Sequence, residues 1–436
     1  MNKKSGNRLD VVSIRRDLHA HPETGFLEYR TASRVASTLK ELGWQISAGP
    51  EVMRADAMMG RPSLPRIEAA QKYAAENGAS PEWVSRMPDG QTGIVADMKR
   101  GEGPVVAFRF DMDALPVLEA AEDIHKPAAG GFRSLRDGAM HACAHDGHTA
   151  IGMCVGERIA LSDSWQGTVR LVFQPAEEGG RGAYPMVKAG VFENVDYFFA
   201  AHLGCNVPSG TIAAQISGHL FSKKFNVSLR GVAAHAASAP ERGRNALLAG
   251  AAMVVALHGI VSPAKARTVL NVGKMVAGTT RNVVADSCEL ELEVRGDSEE
   301  SLAYISRRME EIIAGIASAY GVEFSLELVG HTIGASADAG AIEIVARAAH
   351  ATKAVQSVLP NWVSGGSEDA TFMMRAVQER GGVAAYFGIG SNIPAPHHAA
   401  NFDIDERSLA MGVDVFVNIA EQLLSREPDN AREPVT

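Results

Sequence analysis

Residues 140–148 read MHACAHDGH, with three histidines, a cysteine and an aspartate in nine positions. Cys143 and His145 stand two apart, just ahead of the apolar run TAIGMCVGERIAL. A thiolate and an imidazole are both good ligands for Zn-, Mn- or Co-type ions. A polar helix start capped by Asp146 is the plainer reading of the same residues. Further on, QPAEEGG places Glu177 and Glu178 side by side after an apolar strand pattern. Neighbouring side chains on extended backbone point apart. One carboxylate can therefore hold a metal while the other faces a water, as metal-assisted hydrolysis requires. A solvated acidic turn is the alternative.

Three more clusters follow the same pattern. His202 closes the apolar stretch in FAAHLG, Asp111 and Asp113 close FRFDMDAL, and His397 and His398 precede a late helix in PHHAANFDIDE. A core histidine, a helix-capping Asp113 and a surface loop are the corresponding plain readings. Taken jointly, the five clusters succeed one another as strand ends at one pole of one sheet would. The number of ligands suits two metals joined by a bridging group.

The elements that must hold these residues can be read from periodicity. Residues 8–43 predict two helices around a turn at HPETGF, ending at Gly43, and WQISAGP predicts a strand. Residues 51–90 form helical sequence broken by Pro62, Pro65, Pro81 and Pro88, an excursion inserted before strand signals resume at TGIVADM. Strands then alternate with helices up to VDYFFAAHLG, which argues for an α/β architecture with a mainly parallel sheet and helices on both faces. Such sheets gather their chemistry at the carboxyl ends of the strands.

Near residue 217 the pattern shifts to strands at hairpin spacing with two helices, a smaller α+β unit, and the α/β pattern returns after residue 331. The expected domains are 1–216 and 331–436 for the catalytic unit, and 217–330 for an inserted lid.

The chain has 436 residues, net charge −9, 46% hydrophobic and 21% charged residues, an ordinary globular composition without dense Lys/Arg runs, which argues against nucleic acid as a partner. Four scattered cysteines make no disulfide framework. The first 20 residues show no apolar secretory segment, and no run is long enough to span a membrane, so a cytoplasmic protein is expected.

With these motifs in place, the chain resembles the dinuclear-metal amidohydrolases that include aminoacylases, carboxypeptidase G and plant auxin-conjugate hydrolases, in the branch with a cysteine ligand. The resemblance rests on MHACAHDGH, QPAEEGG, AHLG, AHAASAPERGRNA, GGSEDAT and HHAANFDIDE, and spans residues 10–425. It implies two divalent ions per subunit, with manganese favoured and zinc possible. Cys143 would bridge them, and His145, Glu178 and His202 would be terminal ligands. The last ligand would be His397 or His398; His398 is favoured because it stands four residues before Phe402, as the family's histidine stands before its aromatic. Glu177 would be the general base that takes a proton from the attacking water and passes it to the leaving amine. Asp113 would orient the ligand shell.

In the lid, His235 would reach a partner subunit's site and stabilise the oxyanion. Asn282 and Arg295 would hold the substrate's polar groups and carboxylate, and Gly366 would make a backbone contact. Ala144 and Ala285 depart from the family's usual glycine and proline.

The 51–90 excursion resembles the branch that splits p-aminobenzoyl-glutamate, a folate breakdown product. It implies that substrate, and either a homodimer or a heteromer with a homologous B-type subunit. Trp83, Met58, Met59 and Met87 would either wall the pocket against an aromatic ring or simply pack the helices. The competing activities are a general N-acyl-amino-acid amidohydrolase and a catalytically silent partner subunit. The intact ligand set and Glu177 argue against the silent subunit.

Overall fold

The computed structural model describes residues 8–122 and 124–425. Its centre is an eight-stranded mixed sheet whose inner strands, Gly167–Gln174, Val105–Asp111, Tyr197–Leu203 and Val383–Ile389, run parallel in that order. The period-2 rule assigns their side chains to opposite faces. Phe108, Phe110, Leu171, Phe173, Phe199 and Phe387 pack on one face with helices Val11–Ala20, Tyr29–Glu41, His145–Leu161 and Arg407–Leu424. Ala107, Val172, Phe198, Ala200 and Tyr386 pack on the other, with helices Ala183–Lys188 and Ala370–Gln378. Both faces of a parallel sheet are thus covered, which is why these strands read as nearly continuous apolar runs.

The smaller unit is a four-stranded antiparallel sheet in the order Glu323–Thr332, Phe221–Arg230, Ser287–Gly296, Thr268–Ala277. Phe225, Val227, Leu229, Leu290, Leu292 and Val294 pack on helices Ala246–His258 and Glu299–Tyr320 as a separate core. The alternate positions are polar. Lys224, Asn226, Glu291, Glu293 and Arg295 face a cavity between this sheet and the large one.

The 51–90 excursion forms helices Leu64–Glu76 and Pro81–Ser85, laid against Tyr29–Glu41. Trp83 and Met87 are buried in the main core and Met58 in the second. Of the two readings, packing therefore holds for Trp83, Met58 and Met87; Met59 is half-buried, and none of the four lines the cavity. Apolar side chains on a helix with neighbours to cover are drawn inward. The excursion instead presents Gly60, Arg61, Pro62, Ser63 and Arg66 to the cavity. No helix among the described residues is long and apolar enough to cross a membrane.

Candidate metal centre

Only part of the cluster sits at strand ends. Asp111 ends its strand, Glu177 follows Gln174 by three residues, and His202 is the penultimate residue of Tyr197–Leu203. Cys143 and His145 stand instead at the N-terminus of helix His145–Leu161, and His397 and His398 lie in the loop after Val383–Ile389. Ala144, between Cys143 and His145, adopts φ 68°, ψ 13°. That left-handed conformation is the reason a glycine suits this position. It turns Cys143 and His145 to one side. Asp146 is not the N-cap residue, but its Oδ1 accepts the first-turn N–H of Gly147 at 2.8 Å, while Oδ2 binds Arg15 at 2.8 Å and His19 at 2.7 Å.

The donors converge. Cys143, His145 and Glu178 bring one ligand atom each within 4.8 Å of one another, and so do Cys143, His202 and His397. The two groups share Cys143, as a bridging ligand would require, and His397 rather than the favoured His398 is the histidine of the second group. His145 Nδ1 donates to the Asp113 carbonyl at 2.9 Å and lies 3.2 Å from its carboxylate, which leaves Nε2 facing the site. His202 Nδ1 donates to the Leu203 carbonyl at 2.7 Å and leaves Nε2 3.5 Å from Cys143 Sγ. His145 Nε2 is buried with no hydrogen-bond partner, and the buried Glu178 Oε1 has only His398 Nε2 nearby, at 3.3 Å. Orphaned buried donors and acceptors are costly unless something else satisfies them. A divalent cation fits these atoms, and the S, N and O donor set suits zinc- or manganese-type ions.

The last pair divides its work. His397 Nε2 accepts the Cys205 N–H at 3.1 Å, so in the neutral ring the proton sits on Nδ1, which faces Cys143 Sγ at 3.5 Å. Burial and the neighbouring His398 hold His397 down at about 3, so the ring is neutral. His398, at φ 70°, turns Nε2 to within 3.3 Å of Glu178 Oε1.

Asp113 is the hub of the cluster. Besides His145, its two carboxylate oxygens accept the N–H groups of Glu177 and Glu178, both at 3.0 Å. Glu28, unnoticed in the sequence, accepts the Ala176 N–H at 2.9 Å and the Thr92 hydroxyl at 2.6 Å. Burial and the nearby Asp113 push Glu28 up to about 8. Two buried carboxylates thus set the PAEE turn, in which Ala176 takes φ 48°.

Glu177 lies in a group with Glu368 and Asp369. Burial, then Glu368, Glu178 and Asp369, raise it well above the usual carboxylate range, as a base working near neutrality requires. Arg109 offsets the excess negative charge, binding Asp111 at 2.7 Å, Glu368 at 2.9 Å and Asp369 at 3.2 Å. An arginine inside the apolar run VVAFRFD was the signal for this network. Burial raises the Cys143 thiol well above its ordinary value, with Glu178 adding to it, so the thiolate needs cationic partners.

Arg295 and Gly366 line the cavity of about 1140 Å³ that opens above Glu177 and Glu178. Arg295 binds Glu293 at 3.0 Å. The lid residues His235 and Asn282 do not line it. Both are exposed, and they lie together, where His235 bridges Val283 and the Ala236 N–H binds the Asn282 carbonyl.

Such a donor set, with the Glu177 carboxylate beneath a partly open cavity on an α/β scaffold, is that of a metal-dependent amidohydrolase. The model of the peptidase family M20/M25/M40 matches residues 107–422, and the chain belongs to that family. It is 42% identical to indole-3-acetyl-aspartic acid hydrolase of Enterobacter agglomerans over 93% of this chain and 94% of that one. It is 41% identical to the A-type subunit of p-aminobenzoyl-glutamate hydrolase from Escherichia coli, over the same shares. The crystal structure of aminobenzoyl-glutamate utilization protein from Klebsiella pneumoniae superposes with a TM-score of 0.80 at 37% identity, covering 94% of this chain and 95% of that one.

Proposed function

We propose that the chain hydrolyses the amide between an aromatic acyl group and an acidic amino acid, with p-aminobenzoyl-glutamate the favoured substrate. The observation that carries the reading is the coincidence, in one cavity, of the donor set, Glu177 and the cationic lid face with Arg295. The names of both relatives join an aromatic acyl group to an acidic amino acid. Cys143, His145, Glu178, His202 and His398 would hold two divalent ions. Manganese is favoured by resemblance, and zinc is the second candidate. When bound, such ions polarise a carbonyl and lower the pKa of water.

The chain's own residues then divide the work. Glu177 receives the proton of the attacking water and delivers it to the departing amine. Arg295 holds the amino acid's α-carboxylate with a planar fork that suits two oxygens. Asp113 keeps both carboxylates and His145 in register. His397 donates Nδ1–H to the Cys143 sulfur and is not a ligand in this reading. His398→Ala is therefore expected to lose a metal by elemental analysis, and His397→Ala to lose less; the reverse result exchanges the two.

His235 and Asn282 would complete the site of a second chain. Leu248, Val255 and Val276 of the lid are exposed apolar side chains that offer it a face. That second chain is either another copy or a homologous B-type subunit, and the assembly would act in the cytoplasm. The test is kcat/KM of the manganese- or zinc-loaded protein for p-aminobenzoyl-glutamate against acetyl-glutamate, p-aminobenzoyl-alanine and an indole-acetyl amino acid. Preference for the alanine conjugate replaces this reading with a general N-acyl-amino-acid amidohydrolase. Activity that appears only with a homologous second chain makes this one half of a heteromer.

A further inference from the structure

Six cationic side chains line the cavity, and their partners sort them. Lys274 is paired with Glu291 at 2.6 Å, Arg295 with Glu293 at 3.0 Å, and Arg61 lies 3.9 Å from Asp89. Among the described residues, Arg66, Arg181 and Lys224 have no carboxylate partner. These three come from the inserted helix Leu64–Glu76, the loop after Glu178, and the polar face of the lid sheet. Three elements far apart in sequence thus turn cations without a salt bridge toward one space, where Glu177, Glu293 and Glu178 act on Lys224 only from farther off.

Arg181 is built in. Its Nε donates to the Glu178 carbonyl and its Nη1 to the Gly60 carbonyl, both at 3.1 Å, which ties the insertion to the catalytic turn. A side chain at Gly25 would come within 2.5 Å of Nη2, so that position must stay bare for the guanidinium to lie there. Lys224 is half-buried and lies opposite Glu293 in the strand register, while Arg295 lies opposite Ser222. Lys224 and Arg295 are therefore diagonal neighbours on one face, on the order of 7 Å apart. Two carboxylates separated by a few carbon–carbon bonds match that spacing.

We propose that Lys224, Arg181 and Arg66 form a second anion subsite, which takes the side-chain carboxylate of an acidic amino acid while Arg295 takes its α-carboxylate. The proposal rests on the acyl-amino-acid amidohydrolase reading and adds the residues that select the amino acid. It also gives the 51–90 insertion a role, since that segment carries Arg66 to the cavity and supplies the Gly60 carbonyl that steadies Arg181. A neutral side chain would leave this charge unanswered in a partly enclosed space, and a buried charge left unpaired is more costly than an exposed one.

The experiment compares p-aminobenzoyl-glutamate with p-aminobenzoyl-glutamine, which has nearly the same shape without the charge. A third conjugate, 4-carboxybenzoyl-glutamine, places the carboxylate on the acyl group instead. The metal-loaded full chain is expected to prefer the glutamate conjugate over the glutamine one by roughly 10- to 100-fold in kcat/KM. Lys224→Met should remove most of that ratio through KM for glutamate, and the exposed Arg66→Gln a smaller part. Equal use of the two by the unaltered protein overturns the proposal, as does a ratio unchanged in both variants. So does a Lys224-dependent preference for the carboxybenzoyl conjugate. Calorimetric titration with the same compounds reads the subsite without turnover. Tighter, Lys224-dependent binding of the glutamate conjugate by a protein that cleaves neither keeps the subsite and removes the hydrolase reading. Equal binding removes the subsite.

Discussion

Two histidine-bearing motifs look equally sharp in the sequence, MHACAHDGH in the large unit and GVAAHAASAP in the lid, and the fold treats them differently. Around the first, three of the candidate ligands have their far sides fastened. His145 is held by Asp113, His202 by the Leu203 carbonyl, and the Glu177–Glu178 turn by Asp113 and Glu28. Only the atoms that face the site are left over. Around the second, His235 is exposed and uses Nδ1 to accept the N–H groups of Ala237 and Ser238. Its ring is fixed locally but does not line the cavity above Glu177 and Glu178. The first region is a finished site; the second is a prepared tool without a workpiece. Preorganised geometry and assembled geometry are separate achievements.

The largest expected effect tests the finished region. Glu177→Ala should retain its metal content and lose turnover by roughly 100- to 10,000-fold, the usual worth of a general base. Loss of metal in that variant would show that Glu177 is a ligand and would reverse its role with Glu178. Next comes the prepared tool. His235→Ala should lower kcat by about 100- to 1000-fold, the usual cost of an oxyanion donor. Mixing His235→Ala with Glu177→Ala under chain exchange should restore activity, since a mixed assembly then contains one site with both residues. No restoration, with exchange demonstrated by mass labelling, would place His235 outside the partner's site.

Asp113→Asn should weaken metal affinity by roughly 10- to 100-fold, because an NH2 donor replaces one of the two oxygens that accept the Glu177 and Glu178 N–H groups. A metal titration that matches the unaltered protein would mean the turn holds itself. The smallest effect is expected at Ala144→Gly. Relief of the left-handed backbone and the extra entropy of an unfolded glycine oppose each other, so stability should change by about 1 kcal/mol or less. Thermal denaturation checks it, and a large loss would show that the Ala144 methyl is a packing element.

Much of this was legible because it follows from local chemistry. Apolar strand runs alternating with helical sequence marked the large sheet, and the switch near residue 217 to strands at hairpin spacing marked the lid sheet. The spacing of Cys143, His145, Glu177, Glu178 and His202 marked a metal centre, since few other roles need those side chains in succession. The arrangement of strand ends was less legible. Cys143 and His145 reach the site from a helix N-terminus, which a left-handed Ala144 makes possible, and backbone conformation at a single alanine has no sequence signature.

What the sequence determined by itself was the inventory: which side chains can bind metal, act as base or carry charge, and which segments form strands and helices. Periodicity and side-chain chemistry are properties of neighbouring residues, so they survive without a fold. What only the tertiary structure decided was partnership. It drew Trp83, Met58 and Met87 into the core rather than the cavity wall. It placed Arg109 among Asp111, Glu368 and Asp369. It fixed the His397 proton on Nδ1 through the Cys205 N–H, and it left Lys224 and Arg181 facing the cavity without a carboxylate among the described residues. Each of these depends on which distant segment lies alongside, and the energy of a charge or a buried polar atom is set by that neighbour rather than by its own place in the chain.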